Sequence, residues 1–119
     1  MITFVCCSWA SDIELSGSIP DFIGNWSKLT SLDLIFNNLT GQIPDSLFNL
    51  SSLSILFLGN NKLNGALSES KSSSLLNVDL SYNNLVGSIP SWVNGTSLQL
   101  KLSRDNYGDY VIPRGSHQV

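Results

Sequence analysis

Three stretches of the chain repeat one pattern, and their spacing is the strongest signal in the sequence. They read LDLIFNNLTGQIP (residues 32–44), LFLGNNKLNGALS (56–68) and VDLSYNNLVGSIP (78–90), with first residues 24 and then 22 positions apart. Six columns recur through all three copies. They are Leu32, Leu56 and Val78; Leu34, Leu58 and Leu80; Asn37, Asn61 and Asn83; Leu39, Leu63 and Leu85; Gly41, Gly65 and Gly87; and Ile43, Leu67 and Ile89.

The repeat extends weakly beyond these copies. A damaged copy precedes them at Leu15, Gly17, Ile19 and Pro20, and a fading one follows at Leu100, Leu102 and Asp105. The connections repeat too, since Ile23, Trp26 and Leu29 recur as Leu47, Leu50 and Leu53. We therefore divide the chain into an irregular or truncated N-terminal segment (1–14), a repeat domain (15–107) and a C-terminal tail (108–119).

Each copy contains the pattern L-x-x-L-x-L-x-x-N-x-L, which is typical of stacked coils. Alternation at the leucines predicts a short strand with an apolar inner face, and one strand cannot bury that face alone. Stacked copies share a core. We predict an α/β solenoid of about four repeats, with a short parallel β-sheet on the concave face and mostly loop or 3-10 structure on the convex side. The asparagine column predicts a ladder, Asn37, Asn61 and Asn83, in which amides satisfy backbone groups at each bend.

One connection departs from the pattern. The segment SESKSSS (68–74) is two residues shorter than its counterpart PDSLFNLSS and lacks the apolar residues that should fill the convex side. Two interpretations remain open: a local gap in the core under a mobile loop, or a short tight connection that replaces a helical turn.

Composition argues against several classes of function. The 119 residues include six Lys and Arg in scattered positions and have a net charge of −3, so we expect no nucleic-acid partner. His117 is the only histidine, and no nucleophile motif or phosphate loop is present, so we expect no enzyme, no cofactor and no metal site. No apolar run is long enough for a membrane span. The adjacent Cys6 and Cys7 are either free or buried thiols, or they pair with another chain or with a segment missing from this one.

The concave face is the best candidate for binding, because residues between the leucines point outward and align in rows when coils stack. Aromatic residues among polar ones make good protein contacts. Partial covering of Phe36 and Phe57 by loops or further coils is the competing interpretation. The candidate ligand-binding residues are Asp33, Ile35, Phe36, Phe57, Asn60, Asp79, Ser81, Tyr82, Lys101 and Arg104; Gly59 and Ser103 complete the rows.

Four N-x-[ST] sequons favour an extracellular protein, because such asparagines accept glycans only in the secretory pathway. The candidate N-glycosylation sites are Asn25, Asn38, Asn49 and Asn94.

The G-x-I-P extension after the final leucine resembles the plant-type leucine-rich repeat. SGSIPDFIGNW (16–26) and the stretch from 56 to 93 are similar to ectodomains of plant receptor-like kinases, especially the subgroup with a malectin-like domain. In that family the repeats lie outside the cell and engage ligands or co-receptors, and a transmembrane helix and a Ser/Thr kinase domain follow. This sequence shows no clear signal peptide, no transmembrane helix and no kinase motif, so no catalytic residue is implied.

The resemblance implies a non-catalytic module for recognising a protein or peptide ligand, with a possible co-receptor. It would be a fragment of a receptor ectodomain in signal perception, a glycoprotein on the extracellular side of the plasma membrane. The alternatives are a free-standing secreted inhibitor or scaffold protein, or a truncated gene product without independent function.

Overall fold

The computed structural model describes residues 7–9 (backbone only), 14–94 and 97–102. Eight short strands occur within these ranges. They are β1 (Cys7–Trp9), β2 (Ser16–Ser18), β3 (Ser31–Asp33), β4 (Asn38–Gln42), β5 (Ile55–Phe57), β6 (Lys62–Asn64), β7 (Asn77–Asp79) and β8 (Gln99–Lys101). They form two parallel sheets, of five and three strands.

The main sheet has five parallel strands in the order β1, β3, β5, β7 and β8. Its register follows the sequence columns, because Leu32 lies opposite Leu56, Leu56 opposite Val78, and Val78 opposite Leu100. Same-column apolar residues therefore stack, and all four of these side chains are buried. The predicted solenoid with a parallel sheet is confirmed.

The main sheet begins earlier than the sequence division indicates. Strand β1 pairs with β3 and places Ser8 opposite Leu32, within the segment 1–14 that the sequence marks as irregular. The apolar pattern hides this strand because a serine stands where later coils have leucine or valine. The prediction for the Cys6 and Cys7 thiols lies outside the described side chains.

A second parallel sheet, which the sequence does not predict, runs along the flank in the order β2, β4 and β6. Its register is offset by two residues from the sequence columns, since Gly41 lies opposite Leu63 rather than Gly65. Gly41 and Gly65 have φ angles of 80° and 77°, in the left-handed region that favours glycine. The glycine column thus accommodates a left-handed backbone position four residues after each ladder asparagine, and the flank sheet has its own hydrogen-bond register.

Short helical turns form most of the convex side. They are a 3-10 helix at Asp21–Asn25, the one-turn helix α1 at Asp45–Phe48 and a 3-10 helix at Ser91–Asn94. Pro20 and Pro44 precede the first two with extended backbone, which ends the preceding segment. The inward residues of these turns, Ile23, Leu47 and Val93, are buried in the common core.

The ladder asparagines are buried and connect neighbouring coils. Asn61 Oδ1 accepts the Leu39 N–H at 3.0 Å, and Asn61 Nδ2 donates to the carbonyls of Leu34 and Leu58 at 3.0 Å each. Asn83 repeats the pattern, since its Oδ1 accepts the Leu63 N–H at 3.0 Å and its Nδ2 donates to the Leu58 carbonyl. Each amide therefore satisfies its own bend and the previous coil at once.

The serine-rich segment 68–74 forms a short tight connection, which decides between the two sequence interpretations. Ser74 Oγ donates to the Leu53 carbonyl at 2.8 Å, and the Ser72 N–H donates to the Phe48 carbonyl at 2.9 Å. Lys71 Nζ donates to the Ser72 carbonyl, and partial burial lowers the pKa of Lys71. Serine hydroxyls thus attach this coil to its predecessor in place of apolar side chains.

Two aromatic rings from the flanking coils compensate for the missing apolar residues. Phe48, fully buried in the preceding coil, lies 5.7 Å between ring centroids from Trp92 of the following coil. The Trp92 indole N–H donates to the Ser68 carbonyl at 2.9 Å. The prediction of a gap in the core is therefore wrong, because Phe48 and Trp92 meet across the short coil.

Replacing Asn61 with alanine tests the ladder. Asn61→Ala should lower the free energy of unfolding by about 1–3 kcal/mol, because buried backbone groups lose their hydrogen-bond partner. Asn84→Ala is the matched control: its side chain is exposed, so we expect a change within about 0.5 kcal/mol. Urea unfolding followed by circular dichroism measures both, and equal effects would contradict the role of the ladder.

Two substitutions of Trp92 separate its ring contact from its hydrogen bond. Trp92→Phe should lower the free energy of unfolding by about 1 kcal/mol through loss of the N–H donor. Trp92→Ala should lower it by about 2–3 kcal/mol, below the value for a fully buried tryptophan because the ring is half-buried. Thermal unfolding of the two variants checks this order, and a neutral Trp92→Ala would refute the bridge.

Candidate functional site

The outer face of the main sheet carries a row of four side chains, one from each of four neighbouring strands. Asp33 lies opposite Phe57, Phe57 opposite Asp79, and Asp79 opposite Lys101. The first three side chains are half-buried and Lys101 is exposed. Because side chains alternate along a strand, these residues face away from the buried leucines between them. The sequence therefore placed this row on the correct side of the sheet.

The two carboxylates of this row cap the chain just after their strands. Asp33 Oδ1 accepts the Ile35 N–H at 3.2 Å, and Asp79 Oδ1 accepts the N–H and the hydroxyl of Ser81 at 3.0 and 2.6 Å. With one strand between them, their backbones lie about 9.5 Å apart. Each carboxylate thus stabilises its own turn with one oxygen.

A second row lies where the chain bends after each strand, and its backbone is unusual. Phe36, Asn60 and Tyr82 have φ angles of 56°, 59° and 60°, all in the left-handed region. Asparagine tolerates this conformation, but for an aromatic residue it is costly. Phe36 is 55% exposed and Tyr82 50% exposed, although both are large and apolar. The bend therefore presents two aromatic rings to solvent at a cost in stability.

A shallow groove of about 390 Å³ runs between these rings. It is lined by Phe36, Asn37, Asn60, Asn61, Lys62 and Tyr82. The ladder amides form part of its wall, and the sheet hydrogen bonds hold its backbone, since the Phe36 N–H donates to Gly59 and the Asn60 N–H to Ser81. The groove therefore has a hydrogen-bonded backbone and combines aromatic, amide and ammonium groups.

The third row differs from the sequence prediction at two positions. Ser81 is 6% exposed and donates to Asp79, so it supports a turn rather than facing solvent. Gly59 is also buried, and a Cβ there would lie 3.0 Å from Asp79 Oδ1. Ile35 is half-buried. Arg104 and Ser103 lie outside the described residues.

Sequence reasoning missed one further row of the same face. The first residue of each strand also points outward, because it lies two positions before the row of Asp33. These residues are Ser31, Ile55, Asn77 and Gln99. The two-residue period of a strand predicts this row, because the residue before the first leucine of each strand faces outward too. The prediction from the leucine pattern covered the residues between and after the leucines and left out the residue before them.

The sequon asparagines all have exposed side chains. Asn25 ends the first 3-10 helix, Asn38 begins β4, and Asn94 ends the last 3-10 helix, next to positions 95–96 outside the described residues. Asn49 differs, because its Nδ2 donates to the Asp45 carbonyl and its Oδ1 accepts from Ser70 Oγ.

Residues 14–94 and 97–102 contain no group of three or more metal-ligating side chains. No helix within these ranges has the length and apolar character to cross a bilayer.

Comparison with known proteins agrees with the fold. The Leucine Rich Repeat family model matches residues 28–50 and 74–96, two copies that carry the ladder residues Asn37 and Asn83. The two matched segments are leucine-rich repeats. No curated protein sequence matches the chain.

Solved structures similar to this leucine-rich-repeat chain are plant receptor ectodomains. The Arabidopsis receptor kinase HAESA, in complex with the peptide hormone IDA and the co-receptor SERK1, is 34% identical over 82% of this chain, with a TM-score of 0.77. The GASSHO1/SCHENGEN3 ectodomain from Arabidopsis thaliana, in complex with CASPARIAN STRIP INTEGRITY FACTOR 2, is 34% identical over 86%, with a TM-score of 0.75. The SOBIR1 ectodomain from Arabidopsis thaliana is 25% identical over 91%, with a TM-score of 0.79.

The leucine-rich-repeat chain is short beside these proteins. It spans 17% of the HAESA chain, 12% of the GASSHO1/SCHENGEN3 chain and 64% of the SOBIR1 chain. The similarity therefore covers a small part of the first two ectodomains and just under two thirds of the third.

Glycine and alanine at position 36 measure the backbone cost of the aromatic row. Both substitutions remove the ring, but glycine adopts a φ of 56° without strain. The free energy of unfolding of Phe36→Gly should therefore exceed that of Phe36→Ala by about 1 kcal/mol. Val86 is exposed and does not have a left-handed backbone. There the alanine variant should be more stable than the glycine variant by about 0.4–1 kcal/mol, because glycine increases the conformational entropy of the unfolded chain. Chemical denaturation of the four variants decides, and the same order at both positions would contradict the strain.

Proposed function

We propose that this chain is a non-catalytic recognition module that binds an extended peptide, or an extended segment of a protein, on the concave face. The observation that supports this most directly is the pair of exposed rings, Phe36 and Tyr82, on either side of Asn60. Large apolar side chains in solvent, beside adaptable amides, are the composition that protein contacts favour.

The strained backbone at these rings adds a second argument. Left-handed backbone at Phe36 and Tyr82 costs stability, and glycine or asparagine would adopt it more easily. Strain of this kind clusters at binding sites, where surrounding structure holds it in place. Here the Asn37 and Asn83 amides, buried immediately after the rings, hold the bend.

The similar solved structures support the same kind of partner. The HAESA and GASSHO1/SCHENGEN3 structures contain a peptide hormone and CASPARIAN STRIP INTEGRITY FACTOR 2, respectively, and the HAESA complex also contains a co-receptor. By analogy, we infer that this chain is a fragment of a receptor-like kinase ectodomain in signal perception, with a peptide ligand and a co-receptor as partners. Kinase activity would belong to another part of the parent protein.

An extracellular location follows from this proposal, on the outer side of the plasma membrane. The exposed amides of Asn25 and Asn38 are the sequon side chains that suit glycan attachment best, whereas Asn49 is engaged by Asp45 and Ser70. A glycan at Asn38 would be attached at the start of the flank strand β4, in a different sheet from the row that contains Phe57.

Selection from a displayed library of linear peptides tests the proposed function on the whole 119-residue chain. The chain should enrich a peptide family, and the variant Phe36→Ala/Tyr82→Ala should bind the selected peptides at least about tenfold more weakly, because central aromatic contacts carry much of the binding energy. Val86→Ala is the control, since Val86 is exposed and apolar but outside the groove.

Two results would overturn the proposal. One is a selection that yields no peptide above background with a folded chain. The other is a set of peptides that the double variant binds as tightly as the original, which would place the contact surface elsewhere.

A further inference from the structure

We propose that the peptide ligand carries a basic side chain, lysine or arginine, which lies over Phe57 between the carboxylates of Asp33 and Asp79. This inference rests on the proposed recognition function of the concave face and adds the chemistry of one ligand residue. It assigns Phe57, Asp33 and Asp79 to a single subsite.

The first argument is the order of side chains across the sheet. Phe57 lies opposite Asp33 on one side and opposite Asp79 on the other, so an aromatic ring is flanked by two carboxylates at strand spacing, about 4.8 Å per step. A cation over an aromatic face is attracted by the electrons of the ring. Carboxylates on both sides add Coulomb attraction and hydrogen-bond acceptors. Neutral and acidic side chains gain neither.

The second argument is that both carboxylates retain capacity to bind. Within the described residues, the side-chain hydrogen bonds of Asp33 and Asp79 involve Oδ1, and neither carboxylate forms an ion pair. Both side chains are half-buried, so salt screens them less than fully exposed groups. Oδ2 of each residue is therefore an available acceptor at a position fixed by its turn.

Gly59 keeps this subsite open. A side chain there would meet the Asp79 carboxylate, with a Cβ 3.0 Å from Oδ1 and 3.3 Å from Cγ. The backbone of Gly59 has no positive φ that would require glycine. Its small size thus leaves the Asp79 carboxylate uncovered next to the Phe57 strand.

Lys101 makes the subsite asymmetric. It follows Asp79 in the same row and is exposed, so it offsets part of the attraction of Asp79 for a cation. Asp33 has no lysine or arginine opposite it in β5. The basic side chain should therefore depend more on Asp33 than on Asp79, and the net charge of −3 favours its approach.

The experiment uses peptides selected on the original chain by library display. The consensus should contain lysine or arginine at one position, and replacing that residue with methionine or citrulline should weaken binding about tenfold. The variant Asp33→Asn/Asp79→Asn should lose the preference for a basic residue, while asparagine keeps an oxygen that accepts the turn hydrogen bonds. Of the single variants, Asp33→Asn should have the larger effect.

Asp21→Asn/Asp45→Asn is the matched control. These two aspartates lie in adjacent coils and are exposed at the convex helical turns, whereas Asp33 and Asp79 are half-buried and two coils apart. The control variant changes net charge by the same amount and should leave the consensus and the affinity unchanged. If it abolishes the preference equally, general charge attraction explains the effect and the subsite is refuted.

The remaining outcomes separate this inference from the proposed function. Peptides with a neutral or acidic consensus that still depend on Phe36 and Tyr82 would overturn the basic subsite and leave the recognition function intact. Failure to select any peptide would overturn both. Melting curves of each variant establish that it is folded, so that lost binding is not lost structure.

Discussion

The coils that contain β3, β5 and β7 bend sharply after these strands, and the backbone groups released from the sheet at each bend need partners inside the solenoid. The buried amides of Asn37, Asn61 and Asn83 provide them, because an amide donates and accepts at once. The Asn61 amide spans three segments, since it binds the Leu39 N–H of the preceding coil and the carbonyls of Leu34 and Leu58. The ladder therefore stabilises the bend within a coil and the contact between neighbouring coils with the same amide groups.

The same constraint creates the candidate binding face. The residue before each ladder asparagine adopts a left-handed backbone, which turns its side chain out of the sheet. Asn60 suits that position by intrinsic preference, but Phe36 and Tyr82 do not. Their rings remain in solvent because the buried amide that follows holds the bend. The ladder asparagines and the aromatic residues of the proposed contact surface are thus neighbours on the same stretch of backbone.

The coils are similar but not equivalent, and the coil that contains β5 and the serine-rich segment 68–74 shows how a solenoid tolerates a defect. Its convex segment contains serines in place of apolar residues, yet Leu75 beside it is fully buried. Phe48 and Trp92, one from each neighbouring coil, contact each other across it, and the Ser74 hydroxyl donates to the backbone of the previous coil. The two coils on either side thus supply the apolar contact that the middle coil lacks.

Much of this architecture is determined by the sequence alone. The recurrence of leucine at fixed positions specifies which side chains face the core, because every coil must bury the same face against the next one. That is why the register of the main sheet and the row of Asp33, Phe57 and Asp79 could be predicted from columns. The position of the asparagine ladder follows from the same columns.

Other features depend on how the coils stack. Three features depend on contacts between segments that are 22 or more residues apart in the sequence. They are the two-residue offset of the flank sheet, the burial of Ser81 and the contact between Phe48 and Trp92. The strand at Cys7–Trp9 is held by backbone hydrogen bonds to β3 and needs no leucine of its own. Periodicity encodes which face of a coil is apolar. The hydrogen-bond register and the ring contacts between coils are decided by three-dimensional packing, since no local pattern records them.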